Sequence, residues 1–409
     1  MPPSERFVYL ASTSLLERAV SPNRCELPKL ARVLIGTYMV RYPLGGMLSW
    51  ALQYVLGLHR LGHEVFIVEK AHYEGACFDP VRGVMTDDGS PGMRIVRELL
   101  GRFGLEDRLC FVDYHGTAHG ISAARLDELF RTADVFIDGG THGSWLGEAE
   151  ACGRTVLIDG EPGFTQMKWA ALSDAGQSLP HYDHHYSNGL LLGSEECSAP
   201  TAGRVWRPVV NPVAVDLFTM PAADEGAPFT TVMNWQSHSE IEYDGRRYGQ
   251  KDIEFAKFVE LPRRTSADLE VAVAGKCPRD ELERNGWRLR SAHAVTESFD
   301  SYRRYIADSA GEFSVCKNVF VATRTGWFSD RSAAYLAAGR PVVLQDTGFS
   351  EVLPTGCGLF GVASASEAAA AIDEIRRDPR RHGAGAVEIA REYLDATRVM
   401  GRLLSEVGV

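Results

Sequence analysis

Residues Gly311–Gly361 read GEFSVCKNVFVATRTGWFSDRSAAYLAAGRPVVLQDTGFSEVLPTGCGLFG, and their order of loop, helix, strand and loop decides the fold. Thr325-Gly326-Trp327-Phe328-Ser329-Asp330 is a polar, glycine-containing approach to a helix. Ser329 or Asp330 can cap that helix, because a short side-chain oxygen there accepts an otherwise orphaned backbone N–H. The run from Ser332 to Ala338 is rich in good helix formers. Gly339 supplies the stop, and Pro341 follows two residues on. Pro341–Gln345 is a short buried strand, and Asp346-Thr347-Gly348 is the loop at its carboxyl end. A helix N-terminus beside such a loop is a ready anion site, since free N–H groups and the helix dipole both favour phosphate. Lys317, Arg324 and Arg331 place positive charge nearby in sequence.

The sequence of small-residue helix, Gly-Arg-Pro-Val-Val and Asp-Thr-Gly resembles the donor-binding half of a GT-B glycosyltransferase. In that family the corresponding helix and loops hold the diphosphate and sugar of a nucleotide-sugar donor. Many members carry a Glu five residues before the glycine that ends this helix, and it grips the ribose. Ala334 occupies that position here, so the ribose must be held differently.

The chain has 409 residues, too many for one ordinary core, and two domains are expected. A hydrophobic share of 45% with 24% charged residues is globular. The formal net charge of −11 argues against nucleic acid as a partner, because a phosphate backbone demands a basic face. A small anionic donor needs only a few placed cations. Eight cysteines are scattered without a C-x-x-C pair, which disfavours zinc and redox motifs. Cys110 and Cys316 lie in apolar runs and read as small buried hydrophobes. Residues 1–30 form an arm of mixed character, with room for one helix and without the apolar region of a signal peptide. No apolar run approaches the roughly 18 residues that span a bilayer, and a cytoplasmic protein is expected. The oligomeric state, monomer or homodimer, is open.

In chain order, Arg32–Thr37 is the first buried strand, followed by a loop with Gly45-Gly46, a helix over Met47–Leu61 and a strand over Glu64–Val68. This βαβ unit lacks the dinucleotide spacing G-x-G-x-x-G. It resembles the first unit of a GT-B amino-terminal domain, in which the two glycines let the backbone approach a ligand at the interdomain cleft. A helix near Met93–Phe103, a strand Leu109–Val112 and a helix near Ala123–Phe130 come next. Ala133–Asp138 and Thr155–Asp159 are two further strands, each ending in Asp and running into a glycine loop. Ligands of open α/β sheets bind outside the carboxyl ends of the strands, which places Asp138, Thr141, His142, Asp159, Glu161 and Gln166 on the cleft side. His181-Tyr-Asp-His-His185 is dense in potential metal ligands, yet it reads better as a hydrogen-bonded loop, and no D-x-D motif occurs. No metal and no cofactor beyond the co-substrate are expected.

Residues 204–228 contain four prolines and read as the crossing between domains. Phe229–Met233 restarts the strand pattern, followed by Asn234-Trp235 and a polar, cleft-facing loop to Lys251. Asp252–Glu260 and Ser301–Ser309 are helical, and Leu269–Ala274 is a strand. Ser364…Glu367 has the order of a capping box before another helix. Gly385–Val407 is a last amphipathic helix that the resemblance sends back to the first domain. The expected fold is α/β, with two Rossmann-like doubly wound parallel sheets facing a cleft. The acceptor domain spans 1–212 with the returning segment 388–409, and the donor domain spans 213–387.

The resemblance implies transfer of a sugar, hexose-like, from a UDP- or TDP-sugar to a hydroxyl or other nucleophile of a small molecule, such as a natural product. The helix starting near Ser329, Asp330, Arg331 and Ser332 would stabilise the departing diphosphate with Lys317, Arg324, Thr325 and Gly326. Asn234 and Trp235 line the donor side, and Asp346, Thr347 and Gly348 would hold sugar hydroxyls. His142, Asp138 and Glu161 are the candidates for a general base, His142 first because its ordinary pKa lies near working pH. A sugar-nucleotide epimerase on the same fold, or an inactive nucleotide-binding scaffold, are the alternatives.

Overall fold

A computed structural model describes residues 30–237 and 239–409; the arm read over residues 1–30 lies outside them except for Leu30. The chain alternates strands and helices, and its buried runs of Val, Ile and Leu assemble into two parallel sheets. The first has eight strands in the order Trp206–Pro208, His184–Ser187, Thr155–Asp159, Val135–Asp138, Arg32–Gly36, Glu64–Lys70, Leu109–Val112 and Ala118–Gly120. Val33 pairs with Val135 on one side and Val65 on the other, both in parallel register. Only the last strand, Ala118–Gly120, runs antiparallel to its neighbour. The second sheet has six parallel strands in the order Arg288–Ser291, Leu269–Ala274, Phe229–Asn234, Gly311–Ser314, Val342–Gln345 and Leu359–Val362. In each sheet the chain order reverses about the first strand laid down, which is where such folds open a crevice.

One hydrophobic cluster runs through both halves, from Val33, Leu52 and Val55 to Phe328, Tyr335 and Met400. Two close helix contacts weld them. The helix Gly45–Arg60 starts two residues earlier than its hydrophobic spacing predicts. A Cβ on Gly45 would lie 2.3 Å from the carbonyl oxygen of Ser298, at the start of the helix Phe299–Ala307. One on Gly57 would lie 2.5 Å from the carbonyl oxygen of Ala396. Gly45 therefore serves helix packing, with Tyr302 also against it, and the expectation that it admits a ligand is corrected; a Cβ on Gly46 would meet only Tyr302, at 4.0 Å.

Other boundaries move for local reasons. The last expected helix is two, Pro379–Tyr393 and Ala396–Glu406, broken where the Asp395 carboxylate accepts the N–H groups of Thr397 and Arg398. The second of these packs on Gly45–Arg60. Ser329 sits at the N-cap of the helix Asp330–Ala337, but its side chain makes no capping bond. Ser364 does cap its helix, and Glu367 reaches back to the N–H of Ala363. Two short hairpins, Cys77–Asp79 with Val84–Thr86 and Ile241–Tyr243 with Arg246–Tyr248, lie where loops were expected.

Candidate functional site

The carboxyl end of the second sheet gathers three cations. Lys251 opens the short helix Lys251–Phe255, whose Glu254 is fully buried and accepts bonds from Asn318, which opens the helix Asn318–Ala322, and from Gln345 at the end of the strand Val342–Gln345. That anchoring holds Lys251 inward, at 9% exposure. Its ammonium has neither a hydrogen-bond nor an ion-pair partner among the described residues. Burial, then the charges of Arg331 and Lys317, push the amine from 10.5 down to about 7. A buried ammonium without a partner is costly, and an anion arriving beside it would remove that cost. Asp330 at the start of the neighbouring helix is buried too, and burial pushes its carboxyl up. In the same first turn the hydroxyl of Ser332 is buried and unpartnered.

Lys317 follows the strand Gly311–Ser314 and reaches across the crevice. Its Nζ lies 2.5 Å from Glu161 Oε1, which comes from the loop after Thr155–Asp159 in the first sheet. Asp159 builds that loop: its carboxylate accepts from the N–H of Glu161, the hydroxyls of Thr165 and Ser187, and the amide of Gln166. Tyr38 feels the charge of both Glu161 and Asp330. Its phenol is pushed up by burial, then by the charges of Glu161 and Asp330, and its ring lies 5.3 Å from that of Trp50.

Several residues expected at the donor are used otherwise. The guanidinium of Arg331 is spent on the fold, bonding Glu312 at 2.5 Å, the carbonyl of Val232 at 2.8 Å and Ser314 at 2.6 Å. Arg324 has a left-handed backbone, is half exposed and pairs with Glu351, away from Lys251. Trp235 is core, 5.2 Å from the ring of Phe255; Asn234, beside it, is exposed at the strand end. The carboxylate of Asp346 turns into its own loop, taking the N–H of Gly348 and the hydroxyl of Ser350. Thr347 donates to the carbonyl of Trp327. Gly326 and Gly348 are covered by Leu191, whose loop also bonds the carbonyl of Thr325. Ser329 is buried, 1% exposed. The expected set thus divides: Lys317 and Asp330 interact with Lys251 through their charges, while Arg324 is paired with Glu351 and Asp346 closes its own loop.

On the first-sheet side, Asp138 is fully buried and its carboxylate holds the glycine loop, through the N–H groups of Gly140, Thr141 and Gly143 and the hydroxyl of Tyr182. It is a loop anchor, and its place among the candidate bases is corrected. His142 stands exposed on that loop with a left-handed φ of 54°. Lys70 ties the same loop to the neighbouring strand end through the carbonyl of Ser144. The His181–His185 segment is structural: Asp183 holds Thr155, and His185 packs among Trp169, Tyr182 and Trp206, where burial pushes its imidazole down to about 4. Sequence reasoning put Lys251 at the end of the loop that it assigned to the cleft, but did not name it among the donor-site residues. No sequence signal set it apart, since Asp252 and Glu254 follow it closely and could have paired it.

No protein-family description matches the chain, and no curated protein matches it in sequence. Solved structures do match in shape. Anabaena HepE, solved with UDP-glucose, shares 11% identity at a TM-score of 0.54 over 92% of this chain and 99% of its own. AviGT4, a glycosyltransferase of avilamycin A biosynthesis, shares 13% at 0.50 over 93% and 99%. An alpha-glucosyltransferase, solved with UDP and DNA, shares 10% at 0.54 over 93% and 100%. At this identity the likeness speaks for architecture: two parallel-sheet halves in one order along nearly the whole of each chain, which is the GT-B fold.

Proposed function

We propose that the chain is a glycosyltransferase that moves a sugar from a nucleoside-diphosphate sugar, UDP- or TDP-linked, to a hydroxyl of a small-molecule acceptor. The observation that carries this reading is the buried, unpartnered ammonium of Lys251 beside Lys317 at the carboxyl end of the second sheet. Loss of a nucleoside diphosphate puts negative charge on the β-phosphate oxygens. Cations already placed and desolvated stabilise that charge without reorganising as it develops. Lys251 and Lys317 supply the charge, and Ser332 with the N-terminus of Asp330–Ala337 supplies donors. Two of the three neighbours were solved with UDP-glucose or UDP, which supports a uridine diphosphate as the first ligand to try. His142, exposed on the first-sheet rim, is the group we assign to the acceptor proton. The net charge of −11 favours a small acceptor over DNA, although one neighbour was solved with DNA.

One observation favours a second reading. Asp346 is turned into its own loop and Leu191 covers Gly348, so the expected sugar grip is missing, as in a scaffold that binds nucleotide without turnover. Incubation with UDP-glucose separates the two. Release of UDP, even slow release to water, supports the transferase; UDP binding without any release supports the scaffold. A chain that binds neither UDP nor TDP contradicts both.

A further inference from the structure

We propose that the acceptor is an acidic small molecule, and that its phosphate or carboxylate is received by Arg41 with His72 beside it, leaving His142 for the hydroxyl. This inference rests on reading the rim of the first sheet as the acceptor side of a transferase. Three loops meet at that rim, because Arg32–Gly36 pairs in parallel with Glu64–Lys70 on one side and with Val135–Asp138 on the other. Arg41 follows the first of these strands, His72 the second and His142 the third. The first two loops are tied together where the hydroxyls of Tyr42 and Tyr73 lie 3.2 Å apart. His72 and His142 are exposed, and the imidazole of His72 feels the charges of both Arg41 and His142. The guanidinium carbon of Arg41 lies 5.9 Å from the ring centre of Tyr38, whose phenol also feels Glu161 and Asp330. Arg41 therefore stands at the crevice, within reach of both halves.

Arg41 is the unusual member of the group. It is 5% exposed. Among the described residues its guanidinium meets one acid, Glu69, with Nε 3.4 Å from Oε1, and Nε is buried without a hydrogen-bond partner. Glu69 is committed elsewhere, since its two oxygens accept the backbone N–H groups of Val40 and Arg41 at 2.7 Å each. Burial also pushes the Glu69 carboxyl up against the pull of the Arg41 charge, so the counter-charge is incomplete. The nearby carboxylates build their own loops: Asp79 takes the N–H groups of Val81 and Arg82, and Asp87 that of Gly75. The fork of terminal N–H groups on Arg41 is thus unspent among the described residues. A planar fork matches a carboxylate or a phosphate through two parallel bonds, and buried donors are rarely left unbonded. Two hydroxyls of the same rim, on Thr37 and Thr141, are also buried at 1% exposure and unpartnered.

Thermal unfolding of the full chain in inorganic phosphate, in acetate and in chloride, at one ionic strength and with UDP present, tests the proposal. Phosphate or acetate is expected to raise the melting temperature of the wild type above its value in chloride. The anion that acts more strongly tells which acidic group the acceptor carries. Arg41→Lys keeps a charge for Glu69 but loses the fork, and is expected to weaken the anion's Kd, read from the concentration dependence of the shift, by about tenfold. His72→Gln, at an exposed position, is expected to weaken it about threefold, and serves if Arg41→Lys does not fold. A melting temperature equal to that in chloride, or a shift that both variants keep, overturns the proposal. So does a shift that UDP abolishes, since the anion then sits in the donor site. An Arg41-dependent shift in a chain that never responds to UDP supports the anion site and overturns the donor reading instead.

Discussion

At the scale of single residues, two of the three buried cations near the crevice, Arg331 and Lys251, have opposite duties, and substitution tells them apart. Arg331 is matched by Glu312, which is fully buried. Arg331→Met leaves that carboxylate alone and is expected to cost about 3–5 kcal/mol of stability, read from urea unfolding; replacing Glu312 by Gln in the same chain recovers part of it. Loss of UDP binding without loss of stability would contradict this assignment. Lys251 has no such partner, and its pH dependence follows. Its folded pKa of about 7 lies below the ordinary 10.5, so between these values the unfolded chain holds a proton that the folded chain lacks. Stability from this group therefore rises as pH climbs from 7 toward 10.5, and the full burial cost is present below 7. UDP needs the ammonium, so binding above pH 7 takes up a proton. UDP affinity is expected to fall by up to about tenfold per pH unit between 7 and 9, with proton uptake visible in calorimetry when buffers of different ionisation enthalpy are exchanged. A flat affinity over that range would count against Lys251 as a phosphate ligand.

At the scale of elements, close helix contacts seat the last helix on the first half. Gly57→Ala adds a methyl 2.5 Å from the carbonyl oxygen of Ala396. Its helix propensity gain of up to about 1 kcal/mol is outweighed, and a net loss of about 1–3 kcal/mol is expected in thermal unfolding. A stabilised variant would mean that the last helix does not sit there. Much of this level was legible in the sequence. Leu109–Val112, Thr155–Asp159 and Leu269–Ala274 fall where their apolar runs end, because a strand buried on both faces announces itself in composition. What escaped was decided by single contacts. The break at Asp395 hides in a continuous amphipathic pattern, and only its capping bonds reveal it. The hairpin at Ile241–Tyr248 turns on Asp244-Gly245, both with positive φ, a strong turn signal overlooked inside a polar stretch.

At the scale of the whole molecule, the candidate site was legible in place but only partly in person. Lys317 and Asp330 gather with Lys251 where the strand-end rule puts a ligand. Arg324 and Arg331 misled because nearness in sequence says nothing of a guanidinium's partners: one is paired on the surface with Glu351 and the other is consumed by Glu312, Val232 and Ser314. Asp138 and Asp346 misled for a related reason, since a carboxylate at a strand end is as apt to fold its own loop as to meet a ligand. The residue that matters most, Lys251, could be recognised only from what surrounds it. The second sheet supplies the cations, the first supplies Glu161 and Tyr38, and one continuous core holds the two together.

The central claim is that Lys251 waits, uncompensated, for a diphosphate. Thermal unfolding of the wild type and of Lys251→Met, each with and without UDP, tests it in one experiment. Removing an unpaired buried charge is expected to stabilise the unliganded protein by roughly 1–4 kcal/mol, while the stabilisation that UDP gives the wild type disappears. A variant that melts lower than the wild type yet keeps its full response to UDP would contradict the account.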